Sequence, residues 1–107
     1  MLKVSLIIPT YNEANNLSLV VEEIFSIIDK ERIDLEFIIV DDNSPDGTGE
    51  IADALVKKYP LKVIHRDSKL GLGSAVSEGF KSSSRDFIGV MDGDLSHDPN
   101  ILNELIF

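Results

Sequence analysis

Two pairs of acidic residues follow apolar runs in this sequence, an arrangement suited to metal binding. Asp41 and Asp42 follow the run FIIV, while Asp92 and Asp94, one glycine apart, follow FIGVM. Carboxylate oxygens suit Mg²⁺ or Mn²⁺, and Mg²⁺ usually completes its coordination shell with water and substrate phosphates. A divalent ion would also reverse the sign of an acidic cleft that otherwise repels a diphosphate. The residue types and spacing therefore predict a cation and phosphate site at Asp92 and Asp94.

Apolar runs that are typical of strands buried on both faces alternate with stretches of helical periodicity. The predicted strands cover residues 4–8, 35–40, 61–64 and 87–91. The predicted helices cover 17–28, 51–59 and 71–82, and a last helix begins at Pro99. Asn12 is the expected N-cap of the first helix. The third helix should bury one apolar side, formed by Leu72, Ala75, Val76 and Phe80.

This alternation predicts a three-layer α/β/α sandwich around a mostly parallel sheet of at least four strands. In such open sheets a ligand binds beyond the carboxyl ends of the strands. Three clusters follow the ends of the first, second and fourth predicted strands, so we expect them to face one cleft: Tyr11-Asn12-Glu13, Asp41-Asp42 and Asp92-Gly93-Asp94. The alternative is that these acids and asparagines only end strands and cap helices.

The composition narrows the classes of function. A length of 107 residues fits one domain, and the absence of cysteine excludes a disulfide framework and a thiolate zinc site. The net charge of −9, from 19 acids and 10 bases, argues against a nucleic-acid partner. No apolar run approaches the roughly 18 residues that span a membrane, and we interpret the first residues as a strand rather than a signal peptide.

The glycine-rich segment GLGSAVSEG does not match the common phosphate-binding motifs. Val76 stands where a dinucleotide fingerprint needs glycine or alanine, and the segment follows the third strand rather than the first. No P-loop sequence occurs. We therefore interpret Gly71 and Gly73 as a tight turn into the third helix. Arg66 and Lys69 are the best cations for a phosphate or a base, unless they are solvated surface charges.

Four segments, in order, resemble the N-terminal half of inverting nucleotide-sugar glycosyltransferases of family 2, which have the GT-A fold. They are SLIIPTYNEANNL, FIIVDDNSPDGT, RDSKLGLGSAVSEGF and VMDGDLSHDP. The resemblance is strongest to the dolichyl-phosphate, or polyprenyl-phosphate, mannosyltransferase branch. It implies that residues 1–107 are the nucleotide-sugar-binding part of a GT-A-like domain whose second half is missing, and that the cofactor is Mg²⁺ or Mn²⁺.

The resemblance also implies two sets of site residues. The residues expected to contact the donor nucleotide are Pro9, Tyr11, Glu13, Val40 and Asp42. Those expected at the metal and the diphosphate are Asp92, Gly93 and Asp94, with Ser96 close by. Asp92 and Asp94 are thereby the implied catalytic and metal-binding residues.

The activity that the resemblance implies is transfer of mannose from GDP-mannose to dolichyl or another polyprenyl phosphate, at the cytoplasmic face of a membrane. The sugar would be inverted in a single displacement, with the metal stabilising the departing diphosphate. A lipid monophosphate is already anionic and needs no general base. Within the same class, the alternative is a UDP-sugar donor with another lipid or glycan acceptor.

Other classes of protein share parts of the pattern. A receiver-type signalling domain has an acid pair like Asp41 and Asp42, and a dehalogenase-type phosphatase would use Asp92 as nucleophile and Asp94 as acid and base. Both place those acids after the first strand, unlike this chain. A nucleotide-binding module without catalysis stays open because the second half that the resemblance implies is missing. The sheet edge left open there favours pairing with a second copy, a homo-oligomer.

Overall fold

Strands and helices alternate along residues 1–68 and 71–91, the part of the chain that the computed structural model describes. They are β1 (Leu2–Thr10), α1 (Leu17–Ile27), β2 (Ile33–Asp41), α2 (Thr48–Leu55), β3 (Leu61–His65), α3 (Leu72–Ser82) and β4 (Phe87–Val90). The strands form one sheet in the order β3-β2-β1-β4, and each neighbouring pair is parallel. The predicted α/β fold is confirmed, while the predicted helix from Pro99 lies outside the described residues.

Apolar side chains cover both faces of the two central strands, because successive residues of a strand point to opposite sides. One face packs against α1 and α2 and includes Leu6, Phe37 and Ile39. The other face packs against α3 through Ile7, Ile38 and Val40, which contact Ala75. This gives three layers, with the sheet in the middle. Within the described residues, no helix has the length and apolarity needed to cross a membrane.

The first helix begins later than its predicted N-cap. Asn16 is the N-cap of α1, and Asn12 instead has a left-handed backbone conformation with φ of 58°. The backbone N–H of Asn12 donates to Ser44 Oγ at 3.0 Å. The prediction for Asn12 is therefore wrong, because this part of the β1–α1 loop is held by the β2–α2 loop before the chain turns into the helix.

The buried side of α3 also differs from the predicted apolar side. Leu72 and Phe80 are 63% and 62% exposed, whereas Ala75 and Gly79 face the sheet. A Cβ atom at Gly79 would lie 2.7 Å from Ile7 Cγ2, so the helix lies close to β1 only because this position has no side chain. Small residues allow this approach, and the bulky residues therefore point away from the sheet.

A cluster of charged residues links the segment after α3 to the edge of the sheet at which the parallel strands begin. The buried Glu36 carboxylate accepts a hydrogen bond from Ser5 Oγ at 3.1 Å and lies 3.0 Å from Lys62 Nζ and 3.5 Å from Arg85 Nε. Arg85 Nη1 also lies 2.8 Å from an oxygen of Asp34, and this hydrogen bond raises the pKa of the guanidinium. The cluster compensates the charges that interrupt the apolar sheet face at this end.

Candidate functional site

A pocket of about 130 Å³ opens at the carboxyl ends of β1 and β2. Its lining comes from the end of β1, the loop after β2 and the beginning of α3: Pro9, Thr10, Tyr11, Asp42, Gly71, Leu72 and Ala75. The structure thus brings together three of the residues expected to contact a donor nucleotide, Pro9, Tyr11 and Asp42. This is the sheet edge where open α/β folds bind ligands.

Asp42 meets Arg66 in a buried, two-pronged ion pair beside the pocket. Arg66 Nε lies 2.5 Å from Asp42 Oδ1 and Nη2 lies 2.9 Å from Oδ2, and the two side chains are only 6% and 7% exposed. The hydrogen bond to Asp42 raises the pKa of Arg66, which therefore stays charged. An ionised carboxylate has about four acceptor positions, so Asp42 can still accept a hydrogen bond from a ligand while paired with Arg66.

Arg66 also fixes the beginning of α3 at the pocket. Its Nη1 donates to Ser74 Oγ at 2.7 Å, and its Nη2 donates to the Gly71 carbonyl at 3.2 Å. At 8% exposure Arg66 is not a solvated surface charge. Its partners make it a bridge between Asp42 and α3. Lys69, the other cation considered, lies outside the described residues.

The adjacent acid, Asp41, has a different role from Asp42. It is 2% exposed, and its Oδ1 accepts hydrogen bonds from the Thr10 hydroxyl at 2.8 Å and the Ser44 hydroxyl at 2.6 Å. Its Oδ2 accepts the Ser44 backbone N–H at 3.1 Å. Asp41 therefore ties the end of β1 to the β2–α2 loop. For this acid, the alternative that it only ends a strand fits the contacts, which also order the following loop.

The other two expected donor-contacting residues, Glu13 and Val40, are not in the lining of the pocket. Glu13 is half-buried, and its Oε2 accepts a 3.5 Å hydrogen bond from Asn16 Nδ2. Val40 is fully buried in the apolar cluster that contains the lining residue Ala75. Tyr11 is 38% exposed and offers a ring face to a bound base or ribose.

Asp46, in the loop after β2, accepts hydrogen bonds that favour its ionised form. Its Oδ1 accepts the Thr48 hydroxyl at 2.5 Å and the Thr48 backbone N–H at 3.1 Å. Its Oδ2 accepts the Ala14 backbone N–H at 3.1 Å. These hydrogen bonds, led by the one from the Thr48 hydroxyl, lower the pKa of Asp46 below its ordinary value of 3.8.

The lowered pKa of Asp46 predicts a pH-dependent contribution to stability. Because the pKa is lower in the folded than in the unfolded chain, ionised Asp46 stabilises the fold above about pH 4, and this contribution is lost as the pH falls further. We expect Asp46→Asn to be less stable than the parent chain at about pH 6 and the difference to shrink towards about pH 3. Denaturant unfolding of both chains across this range measures it. A difference that stays constant with pH would contradict the role of the carboxylate.

The residues expected at the metal and the diphosphate, Asp92, Gly93, Asp94 and Ser96, lie outside the described residues. Met91, the last residue before them, donates its backbone N–H to the Ile7 carbonyl at 3.0 Å. Within residues 1–68 and 71–91, no group of three or more His, Cys, Asp or Glu side chains is placed to hold a metal ion. The metal assignment therefore stays a prediction from the sequence.

Sequence reasoning missed the contribution of α3 to the pocket. Gly71 has φ of +99°, a conformation that favours glycine and fits the predicted turn, whereas Gly73 lies within α3. The predicted turn gave no indication that Gly71 lines a pocket. Ala75 and Ser74 carry no recognisable signal, because their roles depend on the contact of α3 with the sheet and with Arg66.

Comparison with known proteins agrees with this architecture. The sequence profile described as "Glycosyl transferase family 2" matches residues 5–107. A dolichol-phosphate mannosyltransferase of Pyrococcus furiosus is 51% identical over 107 residues, covering 98% of this chain and 29% of the relative. A polyprenol monophosphomannose synthase of Mycolicibacterium smegmatis is 44% identical over 105 residues, covering 94% of this chain and 38% of the relative. The chain thus spans well under half the length of both relatives.

A solved structure shares the fold. It is the mannosyltransferase PcManGT from Pyrobaculum calidifontis in complex with GDP-Man and Mn²⁺, with a TM-score of 0.82 over 96% of this chain and 31% of that chain. Its 23% sequence identity supports a statement about fold only, and it confirms the predicted GT-A-like arrangement. Since the family profile covers nearly all of the sequence, this chain belongs to glycosyl transferase family 2.

Proposed function

We propose that this chain is the donor-binding part of an enzyme that transfers mannose from GDP-mannose to dolichyl or another polyprenyl phosphate, with inversion at the sugar. The observation that carries the proposal is the pocket in which Tyr11 and the Arg66-paired Asp42 meet at the carboxyl edge of the sheet. The names of the Pyrococcus and Mycolicibacterium relatives support mannose and a polyprenyl phosphate as the transferred sugar and the acceptor.

The chemistry of the pocket suits a nucleoside. Tyr11 offers an apolar ring face for stacking, and the Asp42 carboxylate accepts hydrogen bonds from base or ribose donors. Guanine carries a ring N–H and an amino group, either of which can donate to a position on the Asp42 carboxylate that Arg66 does not occupy. Arg66 holds the plane of the Asp42 carboxylate through two hydrogen bonds, so the acceptor atoms are oriented before the nucleotide arrives.

The proposed metal ligands are Asp92 and Asp94, which follow β4 in the sequence. Mg²⁺ or Mn²⁺ bound there would act as a Lewis acid that neutralises charge on the departing diphosphate. The likeness to the Mn²⁺-containing Pyrobaculum structure concerns the fold, so this assignment rests on the type and spacing of the two acids. A lipid phosphate acceptor brings its own negative charge and attacks without a general base. Such an acceptor places the reaction at a membrane surface, and we propose the cytoplasmic face.

Nucleotide titration tests the donor and metal assignments. We expect the chain to bind GDP more tightly than UDP, more tightly with Mn²⁺ than with a chelator, and more weakly after Glu13→Ala or Asp42→Ala. Asp94→Asn should weaken binding in Mn²⁺ at least about tenfold, because an amide lacks the charge of the carboxylate. Calorimetry measures each affinity, with Asp86→Asn, at an exposed position of the α3–β4 connection, as the charge-matched control.

Several results of this titration would count against the proposal. Equal GDP affinity in Mn²⁺ and in chelator would refute the metal role, and tighter UDP binding would favour a UDP-sugar donor. The transfer step itself needs an assay of radiolabelled mannose transfer to polyprenyl phosphate, with this chain compared with a longer chain that includes the sequence beyond Phe107. We expect transfer by the longer chain, and no transfer by either would refute the activity.

A further inference from the structure

We infer that Ser44, Asp46 and Thr48 are positioning residues that hold the loop carrying Tyr11 and Glu13 at the pocket. The inference rests on the proposed function, since it assigns what keeps the donor-contacting loop in place. None of the three is among the residues that line the pocket. They would act on nucleotide binding only through the loop.

Three consecutive backbone N–H groups of the β1–α1 loop each donate to a side-chain oxygen of the β2–α2 loop or of the first residue of α2. The Asn12 N–H donates to Ser44 Oγ at 3.0 Å, and the Ala14 N–H donates to Asp46 Oδ2 at 3.1 Å. Between them, the Glu13 N–H donates to Thr48 Oγ1 at 2.9 Å. These N–H groups precede α1 and have no place in its hydrogen-bond ladder, so the side chains of the other loop supply their acceptors.

The acceptor oxygens are themselves fixed. Ser44 donates its hydroxyl to the buried Asp41, whose carboxylate is also bonded to Thr10 at the end of β1. Thr48 is fully buried at the start of α2 and donates its hydroxyl to Asp46. The loop is therefore connected through these hydrogen bonds to the ends of β1 and β2 and to the start of α2.

This attachment bears directly on nucleotide contact. Tyr11, which lines the pocket, precedes the held N–H groups, and Glu13 is one of the residues held. Asn12 keeps a left-handed conformation that is uncommon outside glycine, which the hydrogen bond to Ser44 helps to maintain. Displacement of contact groups by about 1 Å can cost two orders of magnitude in an enzymatic reaction, so release of the loop should weaken binding.

Substitutions at Thr48 test the inference. Thr48→Val keeps the shape of the side chain but removes the acceptor for the Glu13 N–H and the donor to Asp46, whereas Thr48→Ser keeps both. In the chain without nucleotide, we expect Thr48→Val to speed amide hydrogen exchange at Glu13 and Ala14 at least tenfold relative to the amides of β2. We expect GDP affinity to fall at least tenfold and Thr48→Ser to restore both values. Ser26→Ala, which removes an exposed hydroxyl bonded to the Glu23 carbonyl of α1, is the matched control.

The two measurements separate this inference from the proposed function. The positioning role is overturned if Thr48→Val speeds amide exchange at residues 12–14 but leaves GDP affinity unchanged. It is also overturned if the amide exchange rates do not change. If the parent chain binds no GDP, the proposed function fails, while the exchange measurement still decides whether Thr48 fastens the loop. Should Thr48→Val not fold, Ser44→Ala and Asp46→Asn replace it, with faster exchange expected at Asn12 and Ala14 and lower GDP affinity in both. Normal affinity in those variants contradicts the inference.

Discussion

Replacement of Arg66 by methionine should lower the free energy of unfolding by about 3 kcal/mol, because it leaves a buried carboxylate without its counter-charge. Asp42 is 5% exposed and receives two hydrogen bonds from the guanidinium. The substitution also removes the hydrogen bonds to Ser74 and to the Gly71 carbonyl, which hold the beginning of α3. Denaturant unfolding of Arg66→Met and the parent chain at neutral pH measures the loss.

Two further variants show whether the buried charge causes this loss. Arg85→Met, in the cluster at the other end of the strands, should cost about 1 kcal/mol or less, because Asp34 is 44% exposed there and Lys62 still neutralises Glu36. Adding Asp42→Leu to Arg66→Met should recover much of the stability, since a buried ion pair can often be replaced by apolar residues at little cost. Equal losses for Arg66→Met and Arg85→Met would contradict the explanation.

Substitution of Gly79 by alanine should destabilise the fold by about 2 kcal/mol through overpacking between α3 and β1. The added Cβ atom would meet three carbon atoms of Ile7 at 2.7, 3.0 and 3.1 Å. Ile7 is fully buried and its Cγ2 is attached close to the backbone, so the contact cannot be relieved by moving a flexible chain end. The helix must shift instead, which would also move the pocket residues Gly71 and Ala75. Thermal or denaturant unfolding gives the change.

Gly73, in the same helix, provides a matched control for this substitution. A Cβ atom there meets nothing within 4 Å, so Gly73→Ala should stabilise the chain by up to about 1 kcal/mol through helix propensity. In addition, the double variant Ile7→Ala/Gly79→Ala should lose less unfolding free energy than the sum of the two single losses, because the smaller side chain at position 7 makes room for the new methyl group. Strict additivity, or similar effects at Gly73 and Gly79, would show that overpacking is not the cause.

The sequence by itself determined the order of the elements and the edge at which the site lies. Its apolar runs predicted residues 4–8 and 35–40 as strands, and both lie inside longer strands of the structure, β1 and β2. This succeeds because strands buried on both faces must be apolar at consecutive positions, and alternation with helices makes the sheet parallel. Tyr11 and Asp42 consequently follow strand ends at one edge. The assignment of Asp92, Gly93, Asp94 and Ser96 remains a prediction.

Spacing did not distinguish the two adjacent acids; the resemblance named Asp42, and only the tertiary structure shows the contacts that separate it from Asp41. Asp41 and Asp42 are the same residue type, but neighbouring side chains diverge, so Asp41 meets Thr10 and Ser44 while Asp42 meets Arg66. Thr10 lies at the end of β1 and Arg66 follows β3, so the local sequence around the two acids does not show which side each one faces. Spacing can therefore place both acids at the correct edge but cannot separate their roles.

The tertiary structure likewise decided how α3 and the two loops fit together. Hydrophobic periodicity favours burial of Leu72 and Phe80, but close contact with the sheet requires small residues, so Ala75 and Gly79 are buried instead. In the same way, Ser44, Asp46 and Thr48 are residue types that are common in loops. Their role follows only from the fold, which brings them to the N–H groups of residues 12–14. Sequence periodicity shows which side chains are apolar, but not which of them the fold buries. The tertiary structure determines which surfaces lie close enough to form hydrogen bonds.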